Sequence, residues 1–165
     1  HHRGTEDFSA RYAVSANAET LLLTVQVTDD RALDTDLPDQ PWRNDSLIIA
    51  VGTEPDNQGE FAKVRKFAVS RQPGGAPLVQ EIFGTPPKAT LKTDAIRATL
   101  TRDEARQLTE YQLQIPRAIA AGLGITIHDV DTQAEITGDL HREMSLAGGV
   151  PLFMGNVKFA MLNYR

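Results

Sequence analysis

The sequence predicts an all-β domain, a two-sheet antiparallel β-sandwich of jelly-roll type. Three observations carry this. Apolar residues recur with a period of two along several short segments, the mark of half-buried strands. Glycine, proline, asparagine and aspartate punctuate the chain between those segments. Helical patterns are confined to scraps of one or two turns.

Composition bounds the rest. A chain of 165 residues suits one domain, spanning 1–165, with a sizeable core. Apolar residues at 41% and charged residues at 24% describe a globular protein rather than a disordered one. A net charge of −5 argues against a nucleic-acid partner, because phosphate binding needs clustered Lys and Arg. The absence of cysteine removes disulfides, thiolate metal sites and thiol nucleophiles, and is compatible with secretion. No apolar run approaches the roughly 20 residues of a spanning helix, so no membrane partner is expected. His1 and His2 are left out of site reasoning as a tag remnant.

In order, Arg11 to Ala16 reads as a strand with Tyr12 and Val14 alternating. Asn17-Ala18-Glu19 is a turn, and Leu21, Leu23, Val25 and Val27 line one face of its hairpin partner. An acidic loop follows, holding Asp29, Asp30, Asp34, Asp36 and Asp39 and the only tryptophan, Trp42. Ser46 to Val51 is a second, more apolar strand, and Gly52 to Gly59 is turn-rich. Phe61 to Ser70 returns as a strand whose alternation is imperfect, since Lys63 and Arg65 share a parity with Phe67 and Val69; a bulge near Lys63 to Lys66 is expected. The cluster Lys63, Arg65, Lys66 reads as a solvated sheet edge, where charges discourage pairing. Leu78 to Phe83 is a short strand ended by Pro86-Pro87. Ala95 to Leu100 is a strand with Ile96, Ala98 and Leu100 on one face. Thr101 to Glu104 has capping-box spacing, for a helical turn or two through Leu108 or a polar loop. Tyr111, Leu113 and Ile115 alternate in the next strand, and Pro116 opens a short helix over 117–121. Leu123, Ile125 and Ile127 form another strand; 133–151 has no firm assignment; Val157, Phe159 and Met161 make the last. The expected core includes Leu21, Leu23, Val25, Leu47, Ile49, Leu113, Ile125, Ile127 and Phe159.

Catalytic chemistry has no visible home. There is no nucleophile elbow and no cysteine, and no pair among the 22 acidic residues is set apart for glycoside hydrolysis, so a non-enzyme is expected. Asp34 and Asp36, and Asp129 and Asp131, stand two apart. Such pairs serve turn chemistry, with the carboxylates capping nearby amides, or hard-cation binding. Asn44-Asp45-Ser46 matches a glycosylation sequon but sits where a strand enters the core, so Asp45 is read as a brace for the Trp42 loop. Trp42 is a loop-covering tryptophan or an exposed stacking surface.

A resemblance now adds to this reading. Val27-Thr28-Asp29-Asp30 followed by Pro41-Trp42-Arg43-Asn44-Asp45-Ser46-Leu47-Ile48-Ile49 resembles the core of family 9 carbohydrate-binding modules, within the wider group of DOMON-like β-sandwiches. Tyr111 to Pro116, Gly124 to Asp131 and Gly155 to Phe159 fit the same pattern in the same order, so that it spans residues 8 to 163. The resemblance implies a non-catalytic domain that binds polysaccharide or oligosaccharide and targets a larger, secreted or periplasmic bacterial protein to glycan, with other domains of that chain as partners. It implies structural calcium, for which Asp34, Asp36, Asp129 and Asp131 are the candidate ligands. It also implies that Trp42 stacks on the sugar, with Gln26 and His128, on the polar faces of their strands, contacting hydroxyls. The chain departs from the pattern in several places. The second tryptophan of the family's sugar slot is absent from Ser145 to Pro151, with no aromatic before Phe153. Family glutamate and arginine positions fall on Ile48 and Ala68, and a glutamine position on His128. A strand expected ahead of Phe8 is scarcely present, as in a chain cut from a longer one. Two rival readings follow: a divergent structural or interaction sandwich without sugar binding, and a haem-binding DOMON domain ligated by His128 and one of Met144, Met154 or Met161.

Overall fold

The computed structural model describes residues 8–33, 40–55, 61–83, 88–130, 142–147 and 160–161. Eleven strands occur among them: β1 (Phe8–Ala16), β2 (Thr20–Asp29), β3 (Ser46–Pro55), β4 (Phe61–Arg71), β5 (Pro77–Phe83), β6 (Lys88–Lys92), β7 (Arg97–Asp103), β8 (Leu108–Pro116), β9 (Gly122–Asp129), β10 (Arg142–Ala147) and β11 (Ala160–Met161). One sheet has the order β1-β2-β8-β7 and the other β10-β9-β3-β4-β5-β6, with β11 also on β9. Every pairing is antiparallel. The β-sandwich expected from the period-two pattern is therefore the observed fold.

Alternation decides which side chains meet. Leu21, Leu23, Val25 and Val27 of β2 face Leu47, Ile49 and Val51 of β3, Phe67 and Val69 of β4, and Ile125 and Ile127 of β9 across the two sheets. Tyr111, Leu113 and Ile115 of β8 complete the same core. Fully burying each large apolar side chain contributes about 1.5–3 kcal/mol. Every residue expected in the core is buried except Phe159, which lies outside the described residues. On the second face of β3, β4 and β9, Ile48, Ala68 and His128 are closed to solvent as well, all at 0% exposure.

Four local expectations are corrected in whole or in part. No bulge interrupts β4, whose register with β3 is regular from Pro55↔Phe61 to Ser46↔Ser70. Arg65 keeps the inward parity of Phe67 because β4 runs past the end of the core, where its guanidinium leaves the apolar layer, packs 5.0 Å from the Phe67 ring and bonds Glu81. Of the cluster Lys63, Arg65, Lys66, only Lys66 has a strand on both sides, pairing with Ala50 of β3 and Ile82 of β5, so the edge expected there is corrected at Lys66 alone. The capping-box spacing at Thr101 starts no helix. β7 continues to Asp103, whose Oδ1 accepts the Arg106 amide, and Gln107 at φ 53° closes a tight hairpin onto β8. The helix expected after Pro116 is a single 3-10 turn, Arg117–Ile119.

Candidate functional site

Inward-facing rows have to end where the sandwich ends, and at one end three of them finish in aspartate. Asp29 continues the row Leu21, Leu23, Val25, Val27 of β2, and Asp129 continues Ile125, Ile127 of β9. Asp45 precedes β3 at the parity of Leu47 and Ile49, one residue beyond the pair Ser46↔His128. Carboxylate oxygens of Asp29, Asp45 and Asp129 consequently lie within 4.8 Å of one another. Two further inward rows reach this end as arginines, Arg71 on β4 and Arg102 on β7.

Each acid has defined neighbours. Asp45 Oδ1 accepts the Val130 amide at 2.8 Å and Oδ2 the Leu33 amide at 2.6 Å. It thereby ties the start of the acidic loop to the end of β9, which extends the bracing role read for it from sequence. Asp29 Oδ1 accepts the Arg31 amide at 2.9 Å. Arg102, with a side chain only 3% exposed, donates Nη2 to the Asp29 carbonyl at 2.8 Å and Nη1 to Thr109 Oγ1 at 3.1 Å, and lies 3.8 Å from Asp29 Oδ2. Withdrawal from water pushes the Asp45 carboxyl well above the usual carboxylate range. The charges of Asp29 and Asp129 add to this, while the two amides oppose it. Burial, then the Asp45 and Asp29 charges, likewise raise the Tyr111 hydroxyl beneath the cluster.

The Arg102 guanidinium beside Asp29 offsets part of the repulsion among these carboxylates, and a proton or a bound cation would relieve it further. The donors are all oxygen, as hard cations require, and calcium–oxygen bonds of about 2.3–2.6 Å place ligand oxygens on opposite sides of an ion about 5 Å apart. The 4.8 Å spread therefore fits calcium, with Asp29, Asp45 and Asp129 as the residues that would hold it. Of the aspartates expected as ligands, Asp129 belongs to this group, whereas Asp34, Asp36 and Asp131 lie outside the described residues. Asp29 and Asp45 were missed as ligands because they are far apart in sequence.

The sugar-contact residues are not brought together. Gln26 alternates with the inward Val25 and Val27, so it lies on the outer face of the four-stranded sheet. There it accepts from Arg11 Nε at 2.6 Å and donates to Glu110. His128 alternates with Ile127, so it lies on the outer face of the seven-stranded sheet and is wholly buried. Opposite outer faces cannot serve one sugar, which corrects their pairing. Trp42 sits on a 3-10 turn, Pro41–Arg43, immediately before Asp45, and its side chain lies outside the described residues. Asn44 is buried, which leaves the sequon without access. The haem pairing of His128 with Met144 fails on register: Met144 pairs with Ile127 and packs on the core, on the other side of the sheet from His128. Met154 and the Met161 side chain lie outside the described residues.

No protein-family model matches the chain, and no curated protein matches it. Solved structures do. A family 9 carbohydrate-binding module from Caldicellulosiruptor kristjanssonii, in complex with glucose, is similar at TM-score 0.53 and 10% identity, covering 80% of this chain and 65% of its own. The chain thus spans a little under two thirds of that protein's length. A presumed carbohydrate-binding protein from Bacteroides uniformis ATCC 8492 is similar at TM-score 0.52 and 13% identity, covering 92% of this chain and 76% of its own. At such identity the likeness establishes the fold, a β-sandwich of the kind found in carbohydrate-binding modules.

Proposed function

We propose that this chain is a non-catalytic carbohydrate-binding domain, which holds a larger secreted or periplasmic protein close to polysaccharide. The observation that supports this best is the joining of two features at one end of the sandwich. The turn bearing Trp42 runs directly into Asp45, and Asp45 fixes the Leu33 and Val130 amides from within the carboxylate cluster. A tethered loop loses less freedom on binding than a loose one, so a weak stacking contact still gives measurable affinity. An indole offers large, flat apolar area with few rotatable bonds, which suits the C–H face of a sugar ring. Calcium, when bound at Asp29, Asp45 and Asp129, supplies charge neutralisation and cross-links β2, β3 and β9. The resemblance in sequence and the fold shared with a glucose-bound module support the same reading.

Affinity electrophoresis in gels cast with xylan or soluble cellulose derivatives tests it. Retardation of the intact chain, lost with Trp42→Ala, is the expected result. Migration indifferent to every glycan favours the rival, a sandwich serving structure or interaction alone.

A further inference from the structure

The outer face of the four-stranded sheet carries a cleft of about 510 Å³ that belongs to neither the Trp42 turn nor the carboxylate cluster. That volume is within the range of small-ligand sites. Its outward side chains form two cross-strand rows over β7, β8 and β2: Arg97–Gln114–Leu22 and Thr99–Gln112–Thr24. At about 4.8 Å between strands, each row is about 10 Å long. The next row on the same face is bonded internally, with Arg11 to Gln26 and both Gln26 and Gln112 to Glu110. In the cleft rows, that bonding to Glu110 engages only Gln112. Among the described residues, no partner engages the side chains of Arg97, Thr99, Gln114 or Thr24. Exposed surface is where a protein of net charge −5 is expected to be acidic, yet Arg97 is the one charged residue lining the cleft.

We infer that this face binds an extended acidic glycan, one bearing uronate carboxylates, as a site separate from the Trp42 turn. The guanidinium of Arg97 presents a planar fork of N–H donors matched to a carboxylate. The amides of Gln112 and Gln114 and the hydroxyls of Thr24 and Thr99 each donate and accept, as sugar hydroxyls demand. Leu22, 43% exposed at the far end of the Arg97 row, offers an apolar patch to the C–H face of a neighbouring ring. The inference rests on the reading of the chain as a glycan-binding domain, and adds a second site with a different charge preference.

Titrating tetragalacturonate and cellotetraose into the intact protein by calorimetry tests it, alongside Trp42→Ala and the double variant Arg97→Ala with Gln114→Ala. Both cleft positions are exposed, so an unchanged melting temperature verifies that the double variant folds. The expected result is tetragalacturonate binding that survives Trp42→Ala, weakens at least tenfold in the double variant, and weakens as salt is raised. Binding lost with Trp42→Ala but untouched in the double variant overturns the inference. So does equal affinity for the neutral tetrasaccharide, or an acidic peptide of equal charge binding as tightly. Loss of neutral-sugar binding at Trp42 alone bears on the proposed function and leaves the cleft standing, so the two failures are distinguishable.

Discussion

The carboxylate of Asp45 accepts the amide of Val130 at 2.8 Å across 85 positions of sequence. Its other oxygen takes the Leu33 amide, so one side chain closes the end of the sandwich between two loops. Asp45→Ala strands both amides, and a donor left unsatisfied in a buried setting costs about 1–3 kcal/mol. A loss of about 2–4 kcal/mol in urea unfolding is expected, with Asp45→Asn milder because its carbonyl oxygen still accepts one amide.

Calcium provides the second prediction. A ligand that binds only the native state stabilises it by mass action, about 2.7 kcal/mol at a hundredfold excess over Kd. The melting temperature is expected to rise with millimolar calcium and fall with EDTA. Asp45→Asn and Asp129→Asn are expected to abolish that response. A melting temperature indifferent to calcium in the intact chain leaves protonation as the way this cluster relieves its repulsion.

Arg65 and Glu81 give a pH dependence with a definite sign. Arg65 donates Nε and Nη2 to the two Glu81 oxygens at 2.8 and 2.7 Å. That bonding, opposed in part by burial, holds the Glu81 carboxyl below its ordinary 4.5. A depressed acid stabilises the fold above its unfolded value, and the contribution is lost as pH falls through the folded value. Both side chains are partly exposed, at 38% and 25%, so the pair is worth about 0.5–1 kcal/mol. Glu81→Gln is expected to destabilise by that amount at pH 7 and by progressively less as the pH falls through the folded value.

Gln107 holds a backbone that favours glycine. Its φ of 53° is left-handed, which costs a side-chain-bearing residue about 1–2 kcal/mol. Glycine removes that cost and gives back part of it through a freer unfolded chain. Gln107→Gly is therefore expected to stabilise by about 0.5–1 kcal/mol, read as a raised urea midpoint at constant m.

Much of the fold was legible because the period of two in Leu21 to Val27, Tyr111 to Ile115 and Leu123 to Ile127 is both local and undisturbed. Of the helical turn and the polar loop that the spacing at Thr101 allowed, the loop is what forms, because Asp103 caps a hairpin as readily as a helix. Lys63 and Arg65 suggested a bulge because sequence does not reveal where a strand outruns the sandwich. The carboxylate cluster required knowing that β2, β3 and β9 end together. Its signal was nonetheless present: Asp29, Asp45 and Asp129 each sit at the inward parity of an apolar row, where a charge has no ordinary place. Gln26 and His128 share a polar parity, but parity names a face only within one sheet, and they belong to different sheets.

The proposal that the Trp42 turn receives sugar is tested most directly by the chain's own fluorescence, since it contains one tryptophan. Xylo- and cello-oligosaccharides are titrated while emission is recorded. With one aromatic ring where the family resemblance implies two, saturable change with a Kd in the millimolar range is predicted, about −4 kcal/mol, and it should weaken when calcium is removed. Emission that stays constant through tens of millimolar of every oligosaccharide, while the protein remains folded, would contradict the account.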